Sequence, residues 1–281
     1  MTFTKKGSSC VICSGSYVSK VAGMLGCSEC GLLYSGQKAG FGNTIQGMST
    51  IALRNYAIVG SALERVMPLR GAKILDVGSA EGGFTELMLR KGADSLGIEP
   101  DRDAAIEALT KKLPVELVSF EDFFGGENEY DAIVFNDVFE HMQDPVRSLE
   151  KSYMLLKDGG FILINAPVSS GFIFRMVEIA ARLGIDSPYR RIWAQGLPSP
   201  HIYFYTETNL KTLLAKHQFE LVDRGRLITL TKDGMYQRVR STYGPLSALV
   251  ISAIASLLIL IINLFPADVA YLIFKKNESQ A

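Results

Sequence analysis

The feature that most constrains the fold is an alternation of short apolar runs with helical segments between residues 72 and 230. Seven runs have the length and the β-branched or aromatic character of strands, at residues 73–77, 95–98, 115–118, 132–135, 161–165, 219–222 and 227–230. Helical patterns lie at about residues 83–91, 103–113, 144–156 and 207–216, and a further one precedes them at 51–67. This alternation predicts a Rossmann-like, seven-stranded, mostly parallel sheet with helices on both faces, an α/β fold.

Charge and composition narrow the classes of function. Lys and Arg together number 29, as do Asp and Glu, so the formal net charge is zero. A chain without a basic excess is not expected to bind nucleic acid through its overall field. With 48% hydrophobic and 21% charged residues, it has the composition of a folded protein and not of a disordered one.

All four cysteines lie near the amino terminus in two Cys-x-x-Cys pairs, Cys10 with Cys13 and Cys27 with Cys30. Four thiolates match the tetrahedral preference of Zn²⁺ and leave no position open for water or substrate. The 13 residues between the pairs are enough for a short hairpin at 17–25. We therefore predict a structural zinc ribbon over residues 1–40. Paired disulfides, a redox pair and chance clustering are the alternatives.

A glycine-rich loop follows the first strand of the alternating region, in the sequence KILDVGSAEGGF at residues 73–84. Asp76 ends the strand, and Gly78 and Gly82 let the backbone approach a ligand before the helix begins. The next strand ends in Glu99, where a carboxylate can accept hydrogen bonds from ribose hydroxyls. The dinucleotide fingerprint G-x-G-x-x-G and a Walker lysine are both absent. The loop therefore predicts a nucleoside cofactor, and the alternative is a turn that only packs the helix on the sheet.

Several motifs in order give the chain a family resemblance. They are KILDVGSAEGGF at 73–84, GIEPD at 97–101, EYDAIVFNDVFEHMQDP at 129–145, LLKDGGFILINAP at 155–167 and PHIYFYTETNLKTLLAKHQF at 200–219. With them the chain resembles the class I S-adenosylmethionine-dependent methyltransferases over about residues 10–225. It is more similar to a bacterial branch with an N-terminal zinc ribbon, the type 11/12 or ubiquinone/sugar methyltransferase-like branch.

The resemblance implies that S-adenosylmethionine is the cofactor and that eight residues line its site. They are Asp76, Gly78, Ala80, Gly82, Glu99, Phe120, Glu121 and Asn136. Asp76, Gly78 and Gly82 would hold the methionine and ribose, Glu99 the ribose, and Phe120 with Glu121 the adenine. Ala80 departs from the family, which more often has glycine at that position.

Two histidines are candidates for acid–base chemistry if the methyl acceptor is a hydroxyl. His141 follows the fourth strand, at the sheet edge where open α/β sheets bind ligands, and a neutral imidazole suits a base. His201 follows a long insertion at 168–200 that we interpret as a substrate lid. Purely structural roles are the alternatives for both. Residues 136–139 lack the two prolines of the amine-methylating signature, which favours a hydroxyl or carbon acceptor.

The carboxyl-terminal region contains twenty successive uncharged residues at 246–265, about the length that crosses a bilayer. A second apolar run at 269–274 follows Pro266. We expect a polar linker at 231–245 and a membrane-associated segment at 246–274, either transmembrane or re-entrant. A helix buried in the protein is the alternative.

Together these features predict a methyltransferase domain at 41–230 that is tethered to the cytoplasmic face of the inner membrane. Its expected acceptor is a hydroxyl or carbon of a cell-envelope saccharide or a lipid-linked intermediate. A small soluble acceptor, such as a nucleotide sugar or a quinone precursor, is one alternative. A non-catalytic, cofactor-binding membrane scaffold is another.

Overall fold

The structure is a computed structural model that describes residues 9–38, 40, 49–231, 235–240, 243–262 and 265–278. Its strands are β1 (Tyr17–Ser19), β2 (Leu25–Cys27), β3 (Leu33–Tyr34), β4 (Lys73–Val77), β5 (Asp94–Ile98), β6 (Val115–Glu116), β7 (Tyr130–Asn136), β8 (Leu156–Pro167), β9 (Tyr203–Phe204), β10 (Phe219–Arg226) and β11 (Val269–Lys276). Its α-helices are α1 (Ser49–Val66), α2 (Gly83–Arg90), α3 (Arg102–Thr110), α4 (Pro145–Leu155), α5 (Phe172–Arg182), α6 (Ser187–Ile192), α7 (Glu207–Lys216), α8 (Met235–Arg240) and α9 (Pro245–Ile262).

A seven-stranded sheet forms the centre of the molecule, in the order β10-β11-β8-β7-β4-β5-β6. The five strands from β8 to β6 are parallel, and β11 pairs antiparallel with both β8 and β10. One apolar core packs α1 and α2 against one face, and another packs α4 and α7 against the opposite face. The predicted α/β fold is therefore confirmed, and the order reverses beside β4, where such sheets bind ligands.

The identity of the seventh strand differs from the prediction. Residues 227–230 are not a strand, and β11 takes that place in the sheet. Leu272, Ile273 and Phe274 are completely buried between β8 and β10. The prediction that 246–274 is one membrane-associated segment is thus wrong for residues 269–274, because a run buried on both faces of a sheet is as apolar as a membrane segment.

Helices α8 and α9 form an insertion between β10 and β11. The predicted linker at 231–245 is therefore partly the helix α8, and part of it lies outside the described residues. In the described part of the chain, no helix combines the length and the apolar character needed to cross a bilayer. Because β10 and β11 are neighbouring antiparallel strands, the insertion leaves the sheet and re-enters it at the same end of this strand pair.

The amino-terminal cysteine segment forms a second, four-stranded sheet, in the order β1-β2-β3-β9. The predicted hairpin is present, with Tyr17 opposite Cys27 and Ser19 opposite Leu25. Its last strand, β9, belongs to the chain just after His201 and pairs with β3. The insertion at 168–200 forms α5 and α6 and packs on this sheet, so the cysteine segment and the predicted lid share one apolar core.

Candidate active site

The glycine loop between β4 and α2 has the backbone geometry of a ligand cradle. Gly78 and Gly82 have φ of +66° and +79°, and a Cβ added at either would lie 2.5 Å from a neighbouring side chain. Ala80 also has a left-handed φ, of 47°, although it carries a side chain. Three predicted cofactor residues therefore shape one tight turn above the sheet, and a strained non-glycine residue in such a turn is typical of functional loops.

Two buried carboxylates flank this loop, as the sequence predicts. Asp76 Oδ2 accepts a hydrogen bond from Thr85 Oγ1 at 2.8 Å, whereas Asp76 Oδ1 has no partner among the described residues. Glu99 accepts from Ala80 N through Oε2 and from Asp101 N through Oε1, both at 2.8 Å. Burial raises the pKa of Asp76 to about 7 and also raises the pKa of Glu99. Glu99 is thus fixed in orientation, and Asp76 presents a free oxygen.

Tyr56 on α1 covers the loop and was missed by the sequence analysis. Its ring packs edge-on against Phe84 at 5.7 Å, and a Cβ added to Gly83 would lie 3.1 Å from it. Burial, and then the negative charge of Asp76, raise the pKa of Tyr56, so the phenol stays protonated. The aromatic side chain carries no motif of its own, and only its place on a helix preceding the glycine loop could have indicated it.

Two asparagines face each other at the carboxyl ends of adjacent strands. Asn136 on β7 is in register with Asn165 on β8, and both are buried. None of their side-chain amide atoms has a hydrogen-bond partner within the described ranges. Since an unpaired buried amide is costly, these groups are suited to bind a polar ligand. Asn136 was predicted, and Asn165 was not.

The two residues predicted beside adenine point in different directions. Phe120 is buried and packs edge-on against Phe135 at 5.3 Å. Glu121 is exposed at the surface. Lys151 Nζ donates to the carbonyl oxygens of Phe120 and Phe123, both at 2.6 Å, and so fixes this loop. A contact of Phe120 or Glu121 with adenine stays a prediction.

Both predicted histidines lie together beyond β7, with Glu140 beside them. The ring centroids of His141 and His201 are 4.8 Å apart, and His141 Nε2 lies 3.9 Å from Glu140 Oε1. One ligand atom from each of the three residues falls within 4.8 Å of the others. His141 Nδ1 lies 2.8 Å from Pro200 O and 3.2 Å from Ser199 Oγ, both on the lid side of the cluster.

Burial disfavours the charged form of each of the three groups in this cluster. Burial lowers the pKa of His141 and, with help from His141, lowers the pKa of His201 to about 3. Burial also raises the pKa of Glu140 well above its ordinary value. Because Pro200 O can only accept, Nδ1 of His141 carries the proton and Nε2 keeps a lone pair. The arrangement can therefore accept a proton at His141 Nε2.

The four cysteines form one cluster whose geometry fits a tetrahedral metal. Cys10 Sγ is 3.5 Å from Cys30 Sγ, and Cys13 Sγ is 3.3 Å from Cys27 Sγ. Four sulfurs about 2.3 Å from a zinc ion would be nearly as close, at about 3.8 Å from one another, and a disulfide needs about 2.05 Å. Burial raises the pKa of the Cys10 thiol, so a cation is needed to hold it as a thiolate.

The cysteine segment also contacts the histidine cluster directly. Ser35 Oγ and Ser35 N bond to the carbonyls of His201 and Ile202, both at 2.9 Å, and Ile202 N donates to Glu140 O at 2.9 Å. On the other side, Asn209 Nδ2 donates to Cys30 O at 2.9 Å. The segment thus holds one wall of the candidate site through the backbone.

Comparison with known proteins identifies the family. Residues 53–224, more than half of the chain, match the family model of a methyltransferase domain. Ubiquinone biosynthesis O-methyltransferase of Escherichia coli is 30% identical over 130 residues, which are 44% of this chain and 54% of that protein. The enzyme of the same name from Salmonella newport is 28% identical over 160 residues, 50% of this chain and 66% of the relative. The chain therefore spans less than two thirds of the length of these curated relatives.

Solved structures share the fold at low identity. Magnesium protoporphyrin IX methyltransferase from Synechocystis, with bound S-adenosylhomocysteine, aligns with a TM-score of 0.52 at 14% identity, over 85% of this chain and 90% of that chain. A phosphoethanolamine N-methyltransferase from Haemonchus contortus aligns with a TM-score of 0.56 at 13% identity, over 79% of this chain and 53% of that chain. At these identities the likeness extends to the fold alone.

Proposed function

The chain belongs to the class I S-adenosylmethionine-dependent methyltransferases, and we propose that it methylates a hydroxyl of a cell-envelope saccharide or lipid-linked intermediate. The observation that carries the assignment of a base is the contact of His141 Nδ1 with Pro200 O at 2.8 Å, because an Nδ1 that donates to this carbonyl leaves Nε2 unprotonated. An imidazole fixed in this way presents the lone pair of Nε2 beside Glu140 and His201. Methylation at carbon also releases a proton, so this base does not distinguish the two acceptor atoms, and oxygen is preferred because of the names of the curated relatives.

Methyl transfer from a sulfonium needs little covalent participation by the protein. When bound, the sulfonium cofactor supplies the methyl group, whose bond to sulfur breaks as its bond to the acceptor oxygen forms. His141 Nε2 receives the hydroxyl proton, and holding the reactants in line contributes roughly 7–11 kcal/mol. In this proposal Glu99 and the glycine loop would hold the ribose side of the cofactor, and Asp76 with Asn136 would hold its methionine side.

The names of the relatives support the choice of acceptor atom. The curated relatives are named as O-methyltransferases of ubiquinone biosynthesis, which favours oxygen over nitrogen or carbon. Their names also keep a small soluble or quinone-type acceptor as the second candidate for this chain. The two candidates differ in where the acceptor resides, in the membrane or in solution.

We assign a structural zinc to Cys10, Cys13, Cys27 and Cys30. The sulfur separations and the donor set support this assignment, since four thiolates favour zinc and close its coordination shell. The metal would hold β1 to β3 in place, and these strands carry the backbone contacts to His201. In this proposal zinc acts on the reaction only by positioning that wall.

The same proposal places the enzyme at the cytoplasmic face of the inner membrane. Free thiols persist in a reducing compartment, and all four cysteines are unpaired by disulfides. The apolar helix α9, which carries no charged residue, supports attachment to a lipid surface. No nucleic-acid partner is proposed.

The test uses the full chain, radiolabelled S-adenosylmethionine and two acceptor preparations, an envelope lipid extract and a soluble small-molecule extract. His141→Ala is expected to lower turnover by about 10²–10⁴-fold while leaving the Kd for S-adenosylmethionine within about twofold. His217→Ala, at the end of α7, is the matched control and should leave turnover unchanged. Full turnover by the His141→Ala variant would show that His141 is not the base. Labelling only in the soluble extract would favour the small soluble acceptor.

A further inference from the structure

The amino-terminal half of α9 exposes an unusual amount of apolar surface. Leu246, Leu249, Val250 and Ile254 are 81%, 62%, 58% and 53% exposed, and Ile251 is partly exposed as well. At about 100° per residue, these five positions cover an arc of about 200° of the helix. A helix that packs on one partner buries a stripe closer to 100° wide. The exposed arc is therefore suited to an environment that surrounds the helix.

Helix α5 carries a second exposed apolar stripe, on the predicted lid. Phe172, Met176, Ile179 and Leu183 recur at intervals of four, three and four residues and share one face. Met176, Ile179 and Leu183 are each about half exposed or more. Between Phe172 and Trp193, four arginines stand against one glutamate and one aspartate, a net charge of +2. An apolar stripe within a basic segment is typical of helices that lie in an anionic lipid interface.

Helix α5 begins beside the place where the chain returns from the insertion to the sheet. The rings of Phe172 and Phe265 stack at 4.3 Å, and Phe172 N donates to Pro266 O at 3.0 Å. Phe174 N donates to Asp268 Oδ1 at 2.7 Å. These contacts fix the start of α5 against residues 265–268, through which the chain enters β11.

Topology restricts how such a surface can meet a bilayer. The insertion begins after β10 and ends at β11, and Leu227 N donates to Val269 O at 3.0 Å where the two ends meet. At the end of β11, Lys276 Nζ donates to Leu156 O at 2.7 Å inside the protein. Chain on both sides of α9 therefore stays with the sheet, and α9 can enter only one leaflet. Tyr236 and Tyr243, both exposed before α9, are placed as interfacial aromatic groups.

We propose that α5 and the amino-terminal half of α9 both dock on an anionic lipid bilayer, on which the enzyme sits without crossing it. This inference rests on the proposed function and deepens it, because it names the surface and the lipid charge. A second copy of the chain is disfavoured by the width of the exposed arc and by the net positive charge of residues 172–193. Since Trp193 O accepts a hydrogen bond from His201 N, the docked lid reaches the histidine cluster. Docking would thus bring a lipid-linked acceptor to the site.

The experiment is flotation of the full-length protein with vesicles of phosphatidylglycerol and phosphatidylcholine, compared with phosphatidylcholine alone. We expect flotation with the anionic vesicles and at least about tenfold weaker partitioning into the neutral ones. The double variant Leu246→Glu/Leu249→Glu should lose at least about tenfold in partitioning, and so should Met176→Glu/Ile179→Glu. Ile106→Glu on α3, a similarly exposed apolar position, is the matched control and should float like the wild type.

Each variant is also titrated with S-adenosylmethionine by calorimetry and examined by light scattering without lipid. Unchanged cofactor affinity shows that a variant is folded, and it separates failure of docking from failure of the proposed methyltransferase function. Wild-type flotation by both double variants, or equal binding to neutral and anionic vesicles, overturns the proposal. A dimer that forms without lipid, does not float and is dissociated by Leu246→Glu/Leu249→Glu assigns the surface to a second copy instead.

Discussion

Ending the chain at residue 264 is expected to unfold the enzyme, although it removes only seventeen carboxyl-terminal residues. The loss includes β11, which alone connects β10 to the sheet. Leu272, Ile273 and Phe274 are each at most 1% exposed. At about 1.5–3 kcal/mol for each fully buried side chain, their loss amounts to about 5–9 kcal/mol. This is comparable to the whole stability of a typical domain, about 5–15 kcal/mol.

An internal excision provides the control for this truncation. Replacing residues 235–262 with a short Gly/Ser linker removes more residues but keeps β11. Because Leu227 N and Val269 O are within hydrogen-bonding distance at the ends of the strands, the linker closes a gap that is already small. We expect the excised protein to fold and to bind S-adenosylmethionine, since neither α8 nor α9 contributes to the candidate cofactor site.

The assay is urea unfolding followed by circular dichroism, together with calorimetric titration of the cofactor. A single substitution gives the same test on a finer scale: Phe274→Ala should cost about 3–5 kcal/mol. The exposed neighbour Lys275→Ala should change the free energy of unfolding by no more than about 0.5 kcal/mol. A truncated chain that unfolds cooperatively and binds the cofactor as the wild type does would refute the assignment of β11 to the core.

Three further results are expected. Glu99→Ala should weaken S-adenosylmethionine binding by about 1–3 kcal/mol in calorimetry, with the exposed Glu116→Ala as control; equal affinities would contradict a role at the ribose. Protein purified without chelator should contain about one zinc per chain, and Cys27→Ser should lower the Tm, whereas a metal content below about a tenth would contradict the assignment. The raised pKa of Asp76, about 7 when folded, means that the folded state binds more protons than the unfolded state above about pH 4. Stability without cofactor should therefore fall by up to about 1.4 kcal/mol per pH unit between about pH 4 and 7, and Asp76→Asn should flatten this slope in urea unfolding.

The parallel half of the sheet could be predicted from sequence because its signals are local. The strand at 73–77 has the predicted bounds, and the glycines after it fix the position of α2. The last strand could not be predicted in the same way. Residues 269–274 follow a longer charge-free run, and a strand buried on both faces lacks the alternation that distinguishes it from a membrane helix. Pro266 and Asp268 were the local signs of the boundary.

The same distinction between local and long-range signals decides which residues of the candidate site could be predicted. Asp76, Gly78, Gly82 and Glu99 are held by consecutive elements, so their sequence spacing predicted their proximity. Asn165 was missed because its position depends on pairing between β7 and β8, and pairing partners are not encoded by spacing. Phe120 was expected at the cofactor from the family resemblance, and the direction of its side chain depends on packing against Phe135, which the motif does not encode.

The two sides of the site therefore have different origins in the fold. The cofactor side is built by β4, β5 and the turns after them, which are the parts shared with other proteins of this fold. The acceptor side is assembled from segments far apart in the chain: Ser35 of the cysteine segment, the lid that ends at Pro200, and the turn that contains His141. Each of these contacts uses a backbone carbonyl, so they fix the position of the wall without dictating its side chains. A surface built in this way can change by substitution within the insertions while the cofactor side stays intact, and we therefore expect exchange of the lid or of the cysteine segment, and not substitution in the sheet, to change the choice of acceptor.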